Sequence, residues 1–245
     1  MAKNIKKRSA SHIYFGVNKL TGELKHISEV PSGQKCNCIC AACLQPFEAR
    51  KGTRRRHHFA HVSNYECMYA SEVAIYKAFA EALKQSGFLT LPPVMLRFPA
   101  WHDPELLQEA RRMKIDSVAF ECEPLSYPPL LRVTMQGTPL RILLDFDRYY
   151  DDDDRVELAE EAKAEDYSLL VISMPKIEQD TEFTPDRLQS VLQDNDRTEW
   201  VFSRLEEQWK QKYYAVAVSP PEHGTGKMCP ISFGKYKSPN LIDVE

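Results

Sequence analysis

Sulfur and imidazole side chains are concentrated in the first third of this chain. Four of the seven cysteines lie within eight positions: Cys36, Cys38, Cys40 and Cys43. The run His57-His58-Phe59-Ala60-His61 and then Cys67 follow. Clustered cysteines of this kind are typical of metal ligands in a reducing compartment, where disulfides are rare. We therefore predict that residues 36–67 fold around a bound metal ion.

Zinc is the metal that these residue types favour, because it takes thiolate and imidazole ligands in a tetrahedron. The spacing of Cys40-Ala41-Ala42-Cys43 is that of a zinc knuckle, which supplies two of the four ligands. Cys67 and one histidine complete the set; His61 is favoured, and His58 is the competing ligand. Four protein ligands leave no open coordination position, so the predicted role of the Zn2+ ion is structural. The other two cysteines of the cluster are expected outside the tetrahedron.

The same region is strongly basic. Residues 1–68 hold 12 Lys and Arg against 4 Asp and Glu, whereas the rest of the chain holds 20 against 31, so a module of net charge +8 precedes a body of −11. The densest basic stretch comprises Arg50, Lys51, Arg54, Arg55 and Arg56. Such side chains bind nucleic-acid phosphates, which predicts DNA as a partner of the basic module and another protein as a partner of the acidic body. A solvated basic face without a partner is the alternative.

Hydrophobic patterning predicts the elements that position these groups. Residues 12–31 predict a β-hairpin that turns at Leu20-Thr21-Gly22, and residues 70–86 predict a helix that ends at Gly87. Three strands are predicted next, at 115–123, 130–136 and 140–147. The third has apolar residues on both sides of its latter half, so we expect it to be a central, covered strand.

The second half of the pattern alternates helices and a strand. The predicted elements are a helix over 151–165, a strand over 169–173, and helices over 184–194 and 198–212. Residues 88–110 are interrupted by prolines and predict a short strand followed by a helix from Pro104. Strands that first meander and then take a helical crossover form a mixed sheet, which predicts an α/β (α+β) fold.

The predicted organisation has three parts: a small β-rich zinc module (1–68), a mixed-sheet domain with flanking helices (69–215) and a loop-like tail (216–245). No apolar run reaches the roughly 20 residues needed to cross a bilayer. The N-terminal residues are basic but lack the apolar stretch of a signal peptide. We therefore expect a cytoplasmic protein without a membrane partner.

Residues spread over roughly positions 10–80 also carry a resemblance to a known family. They are Tyr14, Thr21-Gly22-Glu23-Leu24, Cys40-x-x-Cys43, Arg50-Lys51-Gly52, the His57–His61 run, Cys67 and Ser71-Glu72. This pattern resembles the CoiA-like competence-protein family of bacteria. In that family a zinc module precedes a nuclease domain of the PD-(D/E)XK type, so the resemblance implies a restriction-endonuclease-like fold and a role in DNA uptake or defence.

The resemblance also implies a set of acids that hold Mg2+ or Mn2+ for phosphodiester hydrolysis. Glu72 matches the glutamate of the first helix. Asp145 and Asp147 stand where the third strand of the family reads Glu-x-Lys, and Asp116 is the nearest substitute for an aspartate that the second strand lacks. Because an aspartate replaces the expected lysine, three expectations stand. They are a DNA-processing or DNA-binding relative that has lost catalysis, an active Mg2+-dependent deoxyribonuclease, and a non-enzymatic subunit that binds a protein partner.

Overall fold

The computed structural model describes residues 12–63, 67–97, 103–121, 130–146, 152–175 and 182–218. Asp147 and the predicted tail from residue 219 onward lie outside the described residues. Within those ranges the chain forms four α-helices, a five-stranded mixed sheet and several smaller sheets, which confirms the predicted α+β class. None of the described helices combines the length and the apolar character needed to span a membrane.

The N-terminal region is built from five short strands: β1 (Phe15–Asn18), β2 (Leu24–His26), β3 (Cys38–Ile39), β4 (Phe47–Arg50) and β5 (His58–His61). β1 and β2 form the predicted antiparallel hairpin, and β3 pairs with the other edge of β1. β4 and β5 form a second antiparallel hairpin. A Cβ on Gly16 would lie 3.2 Å from the Cys38 Cβ and from the Phe47 ring, so a larger residue here would require these neighbours to shift by a few tenths of an ångström.

The first helix, α1 (Ala70–Ser86), has the predicted bounds. It ends at Gly87, whose φ of 64° is in the left-handed region and whose N–H donates to the Leu83 carbonyl. Most of its residues are buried, because α1 lies between the N-terminal strands and the main sheet.

Residues 88–97 and 103–114 contribute four strands that form two small antiparallel pairs: β6 (Phe88–Leu91), β7 (Val94–Leu96), β8 (Glu105–Gln108) and β9 (Arg111–Lys114). β6 pairs with β9 and β7 pairs with β8. The prediction of a helix from Pro104 was therefore wrong. The segment that follows this proline is too short for a helix before β9 begins, and its backbone groups are satisfied by β7 instead.

The main sheet has five strands: β10 (Ser117–Glu121), β11 (Leu130–Met135), β12 (Thr138–Asp145), β13 (Ser168–Ser173) and β14 (Thr198–Phe202). They lie in chain order across the sheet. The first three form an antiparallel meander, and α2 (Asp152–Ala164) then crosses over so that β13 runs parallel to β12. This is the predicted topology, with β12 in the centre of the sheet.

The C-terminal elements differ from the prediction. α3 (Pro185–Gln193) begins where expected, with Thr184 as its cap, but the predicted helix over 198–212 is β14 followed by α4 (Arg204–Val218). Aromatic and β-branched residues in β14 favour a strand, and β13 supplies the open edge that this strand covers. α4 also extends through Val218, three residues into the predicted tail.

One apolar cluster runs through most of the described structure. It joins residues of the N-terminal strands, such as Phe15 and Phe59, to α1 and to the face of the sheet that includes Ile142 and Leu144. A smaller cluster on the other face includes Leu143 and Ala162, beneath α2. The N-terminal strands therefore pack on α1 through a continuous core.

Candidate metal centre and basic loop

Four predicted ligands converge beside the second hairpin. The ligand atoms of Cys40, Cys43, His61 and Cys67 all lie within 4.8 Å of one another. Bonds of about 2.3 Å to a tetrahedral zinc ion would separate sulfur ligands by roughly 3.8 Å, so the group is compact enough to close around one ion. Among the residues that the structure describes, no other group of three or more His, Cys, Asp or Glu side chains has this property.

The two cysteines of the knuckle are positioned by a tight turn after β3. Cys40 is fully buried, and its N–H donates to the Gln45 carbonyl at 2.9 Å. The Leu44 N–H donates back to the Cys40 carbonyl at 3.1 Å, and Leu44 takes a positive φ of 61° that is uncommon outside glycine. The Ala42 N–H lies 3.4 Å from the Cys40 sulfur and donates to it. The turn therefore presents a sulfur atom already held by a backbone N–H.

Strand geometry selects the histidine. Along β5, Phe59 and His61 are buried while His58 is only half-buried, as the alternation of a strand requires. His61 Nε2 lies 3.2 Å from the Cys43 sulfur. His58, three residues earlier, points elsewhere: its Nδ1 is 2.9 Å from the Arg56 carbonyl oxygen, and its ring contacts His12. His61 is thus the histidine of the group, and His58 is not part of it.

Cys67 links the metal centre to α1. It lies just before the helix, and its carbonyl accepts a hydrogen bond from the Ala70 N–H at 3.3 Å. The hydrogen bond from the Cys40 thiol lowers the pKa of Cys67 to about 6. The same bond, together with burial, raises the pKa of Cys40. Burial lowers the pKa of His61, which favours the neutral imidazole that a metal ion requires.

The two surplus cysteines lie outside the metal group, as predicted. Cys36 and Cys38 are buried, and their thiols donate to the carbonyl oxygens of Phe47 and Cys36 at 3.4 Å and 3.2 Å. Burial raises the pKa of Cys38 to about 12, so this thiol stays protonated and remains a donor. These cysteines support the fold beside the metal centre.

The predicted basic stretch forms the loop between β4 and β5, which we call the basic loop (residues 51–57). The loop and the adjoining strand ends border an open cavity of about 380 Å3, lined by Arg50, Gly52, Thr53, Arg54, Arg55, Arg56 and His58. The side chains of residues 54–56 are exposed. Since β4 and β5 pair Phe47 with His61 at one end and Arg50 with His58 at the other, the metal group and the basic loop lie at opposite ends of one hairpin.

The two cations at the start of the basic stretch, Arg50 and Lys51, make contacts within the protein. The guanidinium group of Arg50 forms an ion pair with Glu48 at 2.7 Å. The Lys51 ammonium group donates to the carbonyl oxygens of Ser28, at 3.2 Å, and of Val30. Both contacts therefore lie at the start of the loop.

The candidate catalytic acids have different surroundings. Glu72, in the first turn of α1, and Asp145, at the end of β12, are each only 3% exposed. Asp116 is distant from Asp145, because its carboxylate accepts the Gly137 N–H at 3.0 Å in the turn that begins β12. Eight residues of strand, roughly 25 Å, separate the two ends of β12. The structure therefore does not bring Asp116 to Asp145, and Asp147 lies outside the described residues.

Aromatic side chains fill the space where α1 meets the end of β12. The Tyr76 hydroxyl donates to the Leu144 carbonyl at 3.2 Å and accepts a hydrogen bond from the Leu144 N–H at 2.8 Å. It therefore satisfies both backbone groups of Leu144, which lies beyond the part of β12 that pairs with β11. The Tyr76 ring contacts Phe120 and Phe146, and Phe146 contacts Phe183. The sequence signal for this contact was the helical spacing that places Tyr76 on the buried face of α1. Its hydrogen bonds to Leu144 had no such signal.

Comparison with known proteins gives no relative for this chain: no family model, no curated protein and no solved structure matches it. The resemblance to CoiA-like proteins therefore remains an expectation. Four short strands, β6 to β9, stand between α1 and the meander of the main sheet, and element order alone does not establish a function.

Proposed function

We propose that this protein binds nucleic acid, with DNA as the expected partner, through the exposed arginines of the basic loop. The observation that carries the proposal is the arrangement of one hairpin, with a Cys3His group at one end and a basic cavity at the other. Guanidinium groups bind phosphates bidentately, so Arg54, Arg55 and Arg56 suit a phosphate backbone.

Zn2+ is the proposed ion of the Cys3His group, and its role is structural. Three thiolates and one imidazole are a preferred ligand set for structural zinc and fill its tetrahedron. The ion would join the knuckle after β3, the end of β5 and the residue before α1. No chemistry is assigned to it, because no coordination position is left for a substrate.

The body that carries α1 and the main sheet is proposed to act without cleaving DNA. Mg2+ keeps several water molecules when it binds to carboxylates in phosphoryl-transfer sites. Glu72 and Asp145 are each only 3% exposed, which suits neither a hydrated ion nor a phosphodiester. The second candidate, an active Mg2+- or Mn2+-dependent deoxyribonuclease, is favoured by one observation, the position of Asp145 at the end of the third strand of the meander.

DNA binding measured over a range of salt concentrations tests the proposal. A triple variant, Arg54→Ala, Arg55→Ala and Arg56→Ala, removes three charges from the loop. For duplex DNA, the plot of log affinity against log salt has a negative slope, and each lost phosphate contact reduces its magnitude by about 0.9. Three lost contacts therefore reduce it by about 2.7. We expect a large loss of affinity at low salt and a shallower slope.

A matched control removes three exposed cations from the body: Arg111→Ala, Lys114→Ala and Arg187→Ala. It changes the net charge of the protein by the same amount but leaves the basic loop intact. We expect the control to bind nearly as the wild type does. Equal binding by the loop variant and the wild type would reject the proposal. Equal losses of affinity in both triple variants would also reject it, because net charge alone would then explain the binding.

A further inference from the structure

The basic loop is anchored at its start by a contact that a phosphate ligand does not need. Lys51 is half-buried, and its ammonium group donates to the carbonyls of Ser28 and Val30. These carbonyls lie in and just after a single 3₁₀ turn, Ile27–Glu29. Carbonyls at the end of a helical turn lack partners within the turn, and a lysine nearby commonly satisfies them. Two of the three N–H groups of Lys51 are used in this way.

The contact of Lys51 continues a line of backbone pairing. Gly33 and Ala49 exchange two backbone hydrogen bonds, at 2.8 Å and 3.1 Å, and the Ser32 hydroxyl donates to the Ala49 carbonyl. β4 is therefore held along the 32–33 segment up to Ala49, and Lys51 extends this attachment two residues further, to the start of the loop.

The other end of the loop is also held. His58 pairs with Arg50 across the hairpin, and its Nδ1 lies 2.9 Å from the Arg56 carbonyl. Its ring forms a T-shaped contact with the His12 ring, with the ring centroids 4.6 Å apart. Between these two attachments the chain has six residues, 52–57, which include the three exposed arginines.

We propose that Lys51 is a positioning residue of the basic loop and not one of its phosphate contacts. Lys51 holds the start of the loop against the 3₁₀ turn Ile27–Glu29 and so orders the arginines before nucleic acid binds. Less conformational entropy is then lost on binding. The proposal rests on the proposed function, because it assigns a role within the same binding site. It reverses the expectation that all five cations of this stretch contact phosphate directly.

The test compares Lys51→Met with Arg55→Ala in the full-length zinc-loaded protein, using a fluorescently labelled DNA duplex. Methionine keeps an apolar stem of similar length but removes the ammonium group. We expect Lys51→Met to weaken binding by about tenfold while the salt slope stays that of the wild type, because no phosphate contact is lost. Arg55→Ala is expected to reduce the magnitude of the salt slope by about 0.9.

Amide hydrogen exchange gives a readout that does not depend on DNA. Lys51→Met is expected to speed exchange of the Gly33 and Ala49 amides, whose backbone hydrogen bonds lie beside the Lys51 contact, whereas Arg55→Ala is expected to leave it unchanged. Lys51→Arg, which keeps donors at the end of the side chain, is expected to restore both slow exchange and affinity. Zinc content and the circular dichroism spectrum, unchanged in Lys51→Met, would show that the variant is folded.

Two results overturn the inference while leaving the proposed function standing. One is a salt slope for Lys51→Met that is reduced in magnitude as much as that of Arg55→Ala, which would make Lys51 a direct phosphate contact. The other is wild-type affinity in Lys51→Met. A different result, wild-type binding by the triple arginine variant, rejects the proposed function and this inference with it.

Discussion

The Cys3His group and the end of the main sheet both hold candidate metal ligands, but their surroundings are opposite. At the hairpin, four ligand atoms face one another within 4.8 Å, and the chain approaches them from three separate segments. In the body, Glu72 in α1 and Asp145 at the end of β12 are each buried, and Asp116 lies at the far end of that strand. Suitable residue types are therefore not enough for a metal site. The backbone must also aim them at one point and leave room for the ion.

The largest expected effect is loss of the metal through the knuckle. Cys40→Ser removes a buried thiolate, and we expect zinc to fall from about one per chain to well below one, with loss of several kcal/mol of folding free energy, because binding of a structural zinc ion contributes about 10 kcal/mol in small domains. Elemental analysis and thermal unfolding measure both quantities. Cys36→Ser is the control, since a serine hydroxyl can still donate to the Phe47 carbonyl. Retention of one zinc per chain in Cys40→Ser would show that the group does not hold the ion.

A comparison of two histidines tests the strand-face argument. His61→Ala is expected to lose zinc and stability, whereas His58→Ala is expected to keep about one zinc per chain, because His58 lies on the other face of β5. Metal titration with a colorimetric chelator gives the relative affinities. If His58→Ala loses the metal and His61→Ala keeps it, the register of β5 described above is wrong.

The buried acids give the converse prediction for the end of the sheet. Asp145→Ala is expected to destabilise the protein by about 1–3 kcal/mol, because it removes a buried polar group from its partners. Asp103→Ala, an exposed control, is expected to change stability by less than about 0.5 kcal/mol. Chemical denaturation measures both values.

Cleavage assays separate the two candidate functions of the body. We expect no cleavage of DNA by the wild type with Mg2+ or Mn2+, monitored on supercoiled and linear substrates. Cleavage that requires the divalent ion and is lost in Asp145→Asn would instead establish the active nuclease, and the two regions would then share the ability to bind metal ions.

The smallest effect is expected for Tyr76→Phe. The aromatic ring and its packing stay, but the Leu144 N–H and carbonyl lose the hydroxyl that satisfies them. The expected cost is about 1–2 kcal/mol of unfolding free energy. A fall in the midpoint of urea denaturation without a change in slope is the expected result, and no change at all would mean that water or another group replaces the hydroxyl.

Local spacing explains what could be predicted from the sequence. The Cys40-x-x-Cys43 knuckle is a single turn, so its geometry follows from its spacing, and α1 has bounds that its pattern and Gly87 define. The choice between His58 and His61 required the faces of β5. The spacing of two between Phe59 and His61 was the available signal, because residues two apart share a face of a strand.

Pairing with distant partners explains what could not be predicted. Trp200 lies in a segment with a helical pattern, but its backbone pairs with Leu170 at the edge of β13, and its indole N–H donates to the Pro92 carbonyl 108 positions earlier. The position of Asp116 depended likewise on the turn at Gly137. Neither contact can be inferred from the residues that neighbour it in sequence.

The position of the four ligands along the chain has a consequence for how the protein is made. All of them lie within the first 67 residues, whereas β10 begins at Ser117. Because domains fold progressively during synthesis, the knuckle and the second hairpin can close around an ion before any strand of the main sheet has left the ribosome. Until β10 and the strands beside it arrive, the side of α1 that packs on the main sheet is uncovered. We therefore expect the nascent chain to be most prone to aggregation during that interval, after its metal centre is complete.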